Sequence, residues 1–118
     1  MSKKPLILGI ETSCDETAAS IITENELGKP VVLSSVVSSQ VEVHKEFGGV
    51  VPELAARAHI DKIDWIVQKA IDDSGKKINE IDAVASTAGP GLIVCLSVGL
   101  SFGKAFAASI NKPFIAVN

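Results

Sequence analysis

The sequence predicts an α/β fold in which a mixed five-stranded sheet is built in the order β-β-β-α-β-α-β. Three strand-like runs come first, and each of the two helical segments that follow is succeeded by a further short strand. With 118 residues, 47% of them hydrophobic, the chain can form one domain with a substantial core. The segments are residues 6–10, 18–23, 31–40, 52–74, 81–87, 92–110 and 114–117.

The first two strands are predicted to form a hairpin with a polar connection. Leu6 to Ile10 is a short apolar run typical of a buried strand, and Ala18 to Thr23 resumes strand character. Acidic side chains are seldom buried unless they are paired or bound to a cation. The connection, here called the hairpin tip, is therefore a candidate site. The polar residues at its start and within it are Glu11, Thr12, Ser13, Cys14, Asp15 and Glu16.

The third strand and the first helix follow from a change in hydrophobic pattern. Val31 to Gln40 is rich in Val and Ser and is predicted to pair antiparallel with the second strand. A loop at Val41 to Val50 comes next. Pro52 then suits the first turn of a helix whose apolar residues recur at helical spacing, and Gly75 ends that helix.

The remaining chain is predicted to add two parallel strands and a second helix. Ile81 to Thr87 is the fourth strand, and Phe114 to Val117 is the fifth. Leu92 to Ile110 is apolar on nearly all sides, which predicts a helix buried on several sides. This order is that of the ribonuclease-H-like fold, in which an antiparallel meander is extended by parallel strands through helical crossovers.

Composition excludes several classes of protein. The formal net charge of −3 and the pI of about 5.3 give this chain alone no electrostatic footprint for nucleic acid. Glu11 interrupts the first apolar run too early for a signal peptide, and Lys104 argues against a membrane-spanning second helix. We therefore expect a cytoplasmic protein without a membrane segment, in which Cys14 and Cys95 stay reduced.

Phosphate binding is the chemistry that the hairpin tip favours. Hydroxyls and backbone amides in a tight turn can hold phosphate oxygens, whereas carboxylates repel them unless a divalent cation lies between. The alternative is a solvated turn whose polar residues only satisfy the backbone. Gly89-Pro90-Gly91 could likewise present amides to an anion, although this tripeptide is above all a chain-turning sequence.

No metal ligands are predicted within the chain. His44 and His59 lie fifteen residues apart and lack the short spacing of a metal-binding pair. His59 is instead expected on the flank of the first helix, near Asp61 or the sheet. Cys14 is expected to be a partly buried, unreactive thiol.

Three ordered motifs resemble one protein family. They are G-I-E-T-S-C-D-E-T (Gly9 to Thr17), H-K-E-F-G-G-V-V-P-E-L-A-A-R-A-H (His44 to His59) and T-A-G-P-G-L (Thr87 to Leu92). Together they resemble TsaD, the tRNA threonylcarbamoyladenosine transferase subunit, whose older name is O-sialoglycoprotein endopeptidase or glycoprotease. The resemblance covers essentially the whole chain. It implies one half of an actin-like ATPase fold, and transfer of a threonylcarbamoyl group from its adenylate to N6 of adenosine 37 in tRNAs that read codons beginning with A.

The resemblance also implies roles for residues at two segments. The hairpin tip matches the family's first phosphate loop, where Asp15 and Glu16 are expected to be catalytic by organising metal-bound phosphates or accepting a proton. The remaining residues are expected to contact the cofactor, which is ATP or threonylcarbamoyl-AMP together with a divalent metal such as iron, zinc or magnesium. These cofactor-binding residues are Glu11, Thr12, Ser13, Gly89, Pro90 and Gly91.

The implied partners are a TsaB-like paralogue, a TsaE-like ATPase, and tRNA bound through the full assembly. Residues 52–74 and 92–110 match the family's helices that pair with the paralogue. Gly99 and Gly103 are expected to let helices approach closely there, and a helix-mediated dimer of this chain is a further hypothesis.

A departure from the family pattern concerns the metal motif. In the family, an H-x-E-G-H motif follows a stretch like Ile115 to Asn118, and this chain stops at Asn118. We expect residues 1–118 to be a single N-terminal domain that lacks the second domain and this motif, binds no cofactor tightly and has negligible transferase activity by itself.

Three rival functions remain open. They are a non-catalytic TsaB-like scaffold, a sugar or acetate kinase half-domain, and the metalloendopeptidase of the older name. His44, Phe47 and Gly48-Gly49, together with Asp15 and Glu16, favour the catalytic branch. Kinases of that type would usually have Asp and Gly at the positions of Glu11 and Thr12 to Cys14. No group of nucleophile, base and orienting residue supports a protease.

Overall fold

A computed structural model describes residues 4–40 and 44–118, which form one five-stranded mixed sheet with two long helices. The strand order is β3-β2-β1-β4-β5. β2 pairs antiparallel with β1 and β3, whereas β4 pairs parallel with β1 and β5. The predicted α/β, ribonuclease-H-like architecture is confirmed. The elements are β1 Ile7–Glu11, β2 Glu16–Glu24, β3 Pro30–Ser39, α1 Pro52–Ser74, β4 Ala83–Thr87, α2 Ile93–Ser109 and β5 Phe114–Val117, with a 3-10 turn at Ile78–Glu80.

The largest difference from the predicted bounds lies at the hairpin. β2 begins at Glu16 rather than Ala18, because Glu16 and Thr17 continue the antiparallel register opposite Ser39 and Ser38. The connection is therefore reduced to residues 12–15, and Glu16 belongs to a strand. Part of the predicted loop at 41–50, residues 41–43, lies outside the described residues.

The first helix begins and ends where the sequence predicts. Pro52 occupies its first turn, where a missing backbone N–H costs nothing. Gly75 ends it with φ 74°, a left-handed conformation that favours glycine, and donates its N–H to the carbonyl of Asp72. One side of α1 is buried along its length, at Ala55, His59, Ile63, Ile66, Val67, Ala70 and Ile71.

Both helices cover the same face of the sheet. α1 packs on β2 and β3, α2 packs on β4, β5 and β1, and the two helices contact each other. The core between the layers includes Leu8, Ile21 and Val84 from the sheet and Ile66 from α1, all of them fully buried. The alternate strand residues face the opposite side, which neither helix covers.

The second helix is buried against the sheet and contacts α1, while Ile93 at its start is 83% exposed and Val94 is also exposed. One prediction about this helix is corrected, and it concerns the glycines. Gly99 and Gly103 do not serve contact with another helix. A Cβ atom at Gly99 would lie 2.6 Å from Thr12 Oγ1, and one at Gly103 would collide with Ser86 Oγ. The glycines instead let α2 approach β1 and β4.

Neither helix within residues 4–40 and 44–118 combines the length and the apolar character needed to cross a bilayer.

Candidate functional site

The hairpin tip lies directly beside the Gly89-Pro90-Gly91 turn. β1 and β4 are parallel neighbours, with Ile10 opposite Ser86, so the segments that follow them leave the sheet at the same edge. The N–H of Leu92 donates to the carbonyl of Ser13 at 2.8 Å. A Cβ atom at Gly91 would lie 2.7 Å from both Cβ and O of Ser13, so only glycine fits there. Two segments selected separately from the sequence thus form one surface.

Thr12 anchors the second helix to the end of β1. Its side chain is 1% exposed. The hydroxyl donates to the carbonyl of Cys95 at 2.7 Å and accepts the N–H of Gly99 at 3.0 Å. In this structure the hydroxyl that was predicted to contact phosphate is engaged within the fold, where it sets the position of the tip relative to α2.

The acidic residues of the site have three different environments. The half-buried Glu11 folds its carboxylate onto the N–H of Ser13. Asp15 is half-buried within the tip, and Glu16 is exposed as the first residue of β2. No three His, Cys, Asp or Glu side chains in the described part of the chain form a group that could hold a metal ion. The carboxylates that remain available to a cation-bound phosphate are those of Asp15 and Glu16.

A depression on the uncovered face of the sheet adjoins the site. Its volume is about 280 Å³, and its floor is made of small residues such as Gly9, Ser20 and Ala85. Glu11 and Thr87, the last residues of β1 and β4, also line it. The depression therefore runs from the middle of the sheet to the edge where the tip lies.

A buried histidine lies behind the tip. His59 of α1 is fully buried. Its Nε2–H donates to the carbonyl of Cys14 at 2.8 Å, since a carbonyl oxygen can only accept. Nδ1 consequently accepts, and the hydroxyl of Thr17 donates to it at 2.7 Å. His59 thus contacts the sheet, as expected, but it also holds the backbone of the site.

Two further residues extend this network towards the loop before α1. Val51 N–H donates to His44 Nδ1 at 3.1 Å, so His44 Nε2–H donates to Gln40 Oε1 at 2.8 Å. The amide nitrogen of Gln40 donates to His59 Nδ1 and to the carbonyl of Ala55, each at 3.3 Å. The backbone N–H of Gln40 donates to the carbonyl of Asp15 at 2.9 Å.

Sequence reasoning did not find this network, which we call the Gln40–His59 network and which consists of Thr17, Gln40, His44 and His59. The sequence predicted a position for His59 beside the sheet but no hydrogen-bond partners for either histidine, and it predicted Gln40 only as the end of a strand. The partners of His59 lie 19 to 45 residues away in the chain, so no local spacing reports them. The one available signal was the presence of both histidines in the motif His44 to His59.

Burial disfavours the protonated form of His59. Burial lowers the pKa of His59 below the usual 6.5, and this effect exceeds the opposing influence of its bond to Cys14 and of the nearby carboxylates of Glu11 and Asp15. Lys62 lowers the pKa further. Burial likewise raises the pKa of Cys95, and both Cys95 and Cys14 are free thiols. A raised pKa disfavours the thiolate, so Cys95 is not suited to act as a nucleophile.

The sequence is similar to curated transferases. The family described as TsaD, tRNA N6-adenosine threonylcarbamoyltransferase, matches residues 31–118. A tRNA N6-adenosine threonylcarbamoyltransferase of Pelagibacter ubique is 76% identical over 118 residues, which are 100% of this chain and 33% of the relative. One from Brucella canis is 56% identical over 112 residues, 95% of this chain and 31% of the relative. The chain therefore spans about a third of the length of these relatives.

Among solved structures, YeaZ from Pseudomonas aeruginosa has the same fold. The TM-score is 0.67 at 18% identity, and the match covers 97% of this chain and 43% of that one. At this identity the likeness concerns the fold alone.

Proposed function

The chain belongs to the TsaD family of tRNA N6-adenosine threonylcarbamoyltransferases, and from this membership we propose that it is the N-terminal, nucleotide-binding domain of such an enzyme. The observation that carries the proposal is the junction of the hairpin tip with the glycine turn, where Leu92 N–H meets the carbonyl of Ser13. In α/β sheets, ligands bind at the edge where parallel strands end, and a helix that starts there favours negative charge.

The proposed reaction joins a threonylcarbamoyl group to N6 of adenosine 37 in tRNAs that read codons beginning with A. The N6 amine attacks the carbonyl carbon of threonylcarbamoyl-AMP, and a carbon–nitrogen bond forms. The bond from that carbon to the phosphate oxygen breaks, AMP leaves, and the amine loses a proton to a base. Because this chain spans about a third of its relatives, we propose that it has negligible transferase activity by itself.

Each residue of the site has a proposed part in holding the nucleotide. Asp15 and Glu16 organise the phosphates or accept the proton. Ser13 contacts a phosphate, while Thr12 and Glu11 set the position of the tip through their bonds to α2 and to Ser13 N–H. The turn at 89–91 lies close to the hairpin tip, because its last residue packs against the Ser13 backbone. Both segments can therefore contact the same nucleotide.

The proposed divalent metal is iron, zinc or magnesium, and this chain alone supplies few ligands for it. The described residues offer no group of three metal ligands, so iron or zinc would take most of its ligands from elsewhere in the full-length enzyme. Magnesium takes one or two carboxylates and completes its shell with phosphate oxygens and water, and Asp15 and Glu16 can supply such carboxylates. A bound cation would neutralise phosphate charge, while the residues of this chain orient the phosphates.

The proposed partners follow from charge and from exposed apolar side chains. A net charge of −3 supports tRNA binding through other parts of the assembly, in the cytoplasm. Ile60 and Trp65 of α1 and Ile93 of α2 are exposed, which supports pairing of these helices with a TsaB-like paralogue. A TsaE-like ATPase is proposed as a further member of the assembly.

The function is tested by removing the two catalytic carboxylates in the full-length enzyme. Asp15→Ala and Glu16→Ala should each lower the rate of threonylcarbamoyl transfer to tRNA by about 10²-fold or more, as expected for lost acid–base or phosphate-orienting groups. The measurement is the modified adenosine content of tRNA over time.

Glu24→Ala is the matched control because Glu24 is the last residue of the strand that Glu16 begins. It should leave transfer unchanged. Normal transfer by both test variants would instead show that the hairpin tip is a plain turn without a catalytic part. Transfer by the 118-residue chain alone would contradict the proposed need for further domains.

A further inference from the structure

Behind the hairpin tip, buried donors converge on two consecutive carbonyl groups. We propose that His59 is a positioning residue of the candidate site, and that Gln40 and His44 orient it. This inference rests on the proposed function in taking the tip as the phosphate-binding segment. It assigns roles in the site to residues that touch no reacting atom and that act through the backbone of Cys14 and Asp15.

The buried donors behind the tip point at two neighbouring carbonyl groups. His59 Nε2–H donates to the carbonyl of Cys14, and Gln40 N–H donates to the next carbonyl, that of Asp15. Both carbonyls are thereby directed towards α1 and β3. The Asp15 side chain is attached to the backbone between these two carbonyl groups. The two hydrogen bonds therefore determine where the Asp15 carboxylate can lie.

His59 can donate to the Cys14 carbonyl only as one tautomer. Its Nε2 must carry the proton for the bond to Cys14, and its Nδ1 must accept from Thr17 and Gln40. In the opposite tautomer, the lone pair of Nε2 would face the carbonyl oxygen of Cys14. The N–H at Nδ1 would then face two other donors, the Thr17 hydroxyl and the Gln40 amide. Since buried polar groups without partners are costly, the network selects one protonation pattern.

The orientation of the Gln40 amide, and through it that of His59, is determined by the loop before α1. Val51 N–H requires Nδ1 of His44 to accept, so His44 Nε2–H donates to the oxygen of the Gln40 amide. This directs the Gln40 nitrogen towards His59 and the Ala55 carbonyl. The loop at residues 44–51 is therefore connected to the tip by directed hydrogen bonds.

Two substitutions separate this role from simple packing. His59→Gln places an amide N–H near the position of Nε2 and retains a donor for Cys14 O. His59→Asn places an amide oxygen near Nδ1, retains an acceptor for Thr17 and loses the donor to Cys14. Both remove the ring from the core, so loss of packing affects them alike.

The experiment measures backbone amide shifts of Ser13 to Glu16 by NMR in the 118-residue chain, together with unfolding by urea. We expect comparable loss of stability in the two variants, near-native tip shifts in His59→Gln and clearly altered shifts in His59→Asn. Tip shifts that change equally in both variants, or in neither, would overturn the proposal. The ring ¹⁵N shifts of the unsubstituted chain provide a second measurement: an Nδ1–H tautomer of His59 would also overturn it.

Binding of Mg-ATP to the full-length enzyme distinguishes this inference from the proposed function. We expect His59→Asn to weaken binding about tenfold and His59→Gln to weaken it much less, which matches the loss of one hydrogen bond. If the unsubstituted enzyme binds no Mg-ATP while the tip shifts still separate the variants, the proposed function fails and the positioning role stands. If it binds and the tip shifts do not separate the variants, the positioning role fails.

Discussion

At the scale of single residues, the candidate site depends on buried polar side chains that hold its backbone. Thr12, Thr17 and His59 are each at most 1% exposed, and each makes hydrogen bonds between different elements. Among the described residues, no buried side-chain nitrogen or oxygen lacks a hydrogen-bond partner. Removing any one of these three side chains would therefore leave partners without bonds, which costs more than the bond contributes.

The lowered pKa of His59 gives a pH prediction. In the unfolded chain the imidazole takes up a proton near pH 6.5, whereas in the folded chain burial makes protonation harder. Below this pH the unfolded state binds more protons, so the free energy of unfolding should fall as the pH falls from 6.5 towards the lower folded-state value. The contribution is fully present above that window.

Urea unfolding of the chain at several pH values checks this prediction. His59→Gln should show a smaller decline over the same window, by up to about 1 kcal/mol per pH unit. Carboxylates titrate at lower pH and affect both proteins. An identical decline in the variant would show that His59 is not the group responsible.

At the scale of elements, the placement of α2 is determined by close contact with two strands. The hydroxyl of Ser86 donates to the carbonyl of Gly99 at 2.8 Å, and the N–H of Gly99 donates to the hydroxyl of Thr12. Gly103, one turn later, lies against Ser86 and Phe114. α2 can therefore pack close to the sheet, and its N-terminal end reaches the hairpin tip.

Gly103→Ala should destabilise the fold by about 1–3 kcal/mol, because the added methyl group would overlap Ser86 Oγ and the Phe114 ring. Intrinsic helix propensity alone would predict the opposite result, because it favours alanine over glycine by about 1 kcal/mol. The measurement is the midpoint and slope of urea unfolding. Ser101→Ala, at an exposed position of the same helix, is the control and should change stability little. A more stable Gly103→Ala variant would contradict the close packing.

At the scale of the whole molecule, the two helices leave an apolar surface on their outer side. A groove of about 540 Å³ lies between α1 and α2 and is lined by Ile60, Val98 and Phe102 among others. Ile60 is 61% exposed, and Trp65 of α1 and Ile93 of α2 are also exposed. Exposed apolar patches of this kind favour association.

We expect the 118-residue chain to self-associate through this helix surface, and light scattering at increasing concentration measures it. Ile60→Asp should shift the molecular mass towards that of a monomer, since a carboxylate would enter the groove. Leu27→Asp is the control because Leu27 is equally apolar and 82% exposed, but lies in the turn between β2 and β3. A monomer at high concentration in the unsubstituted chain would contradict the prediction.

Much of the fold could be predicted because its signals are local. The bounds of β5 were predicted without error, and those of α1 followed from Pro52 and Gly75. The start of β2 was misplaced, because the strand assignment of Glu16 depends on pairing with Ser39 rather than on its own polarity. The candidate site was predicted from its acids and glycines, whereas its geometry could not be predicted from the sequence.

The sequence by itself determined the order of the elements and the family. Apolar periodicity, prolines, glycines and contiguous motifs are properties of neighbouring residues. Only the tertiary structure decided that Thr12 hydrogen-bonds to α2, that the glycines of α2 face the sheet, and that His59 holds the tip. Several of these contacts join residues 42 to 87 positions apart, and their partners are selected by packing and by hydrogen-bond direction in three dimensions.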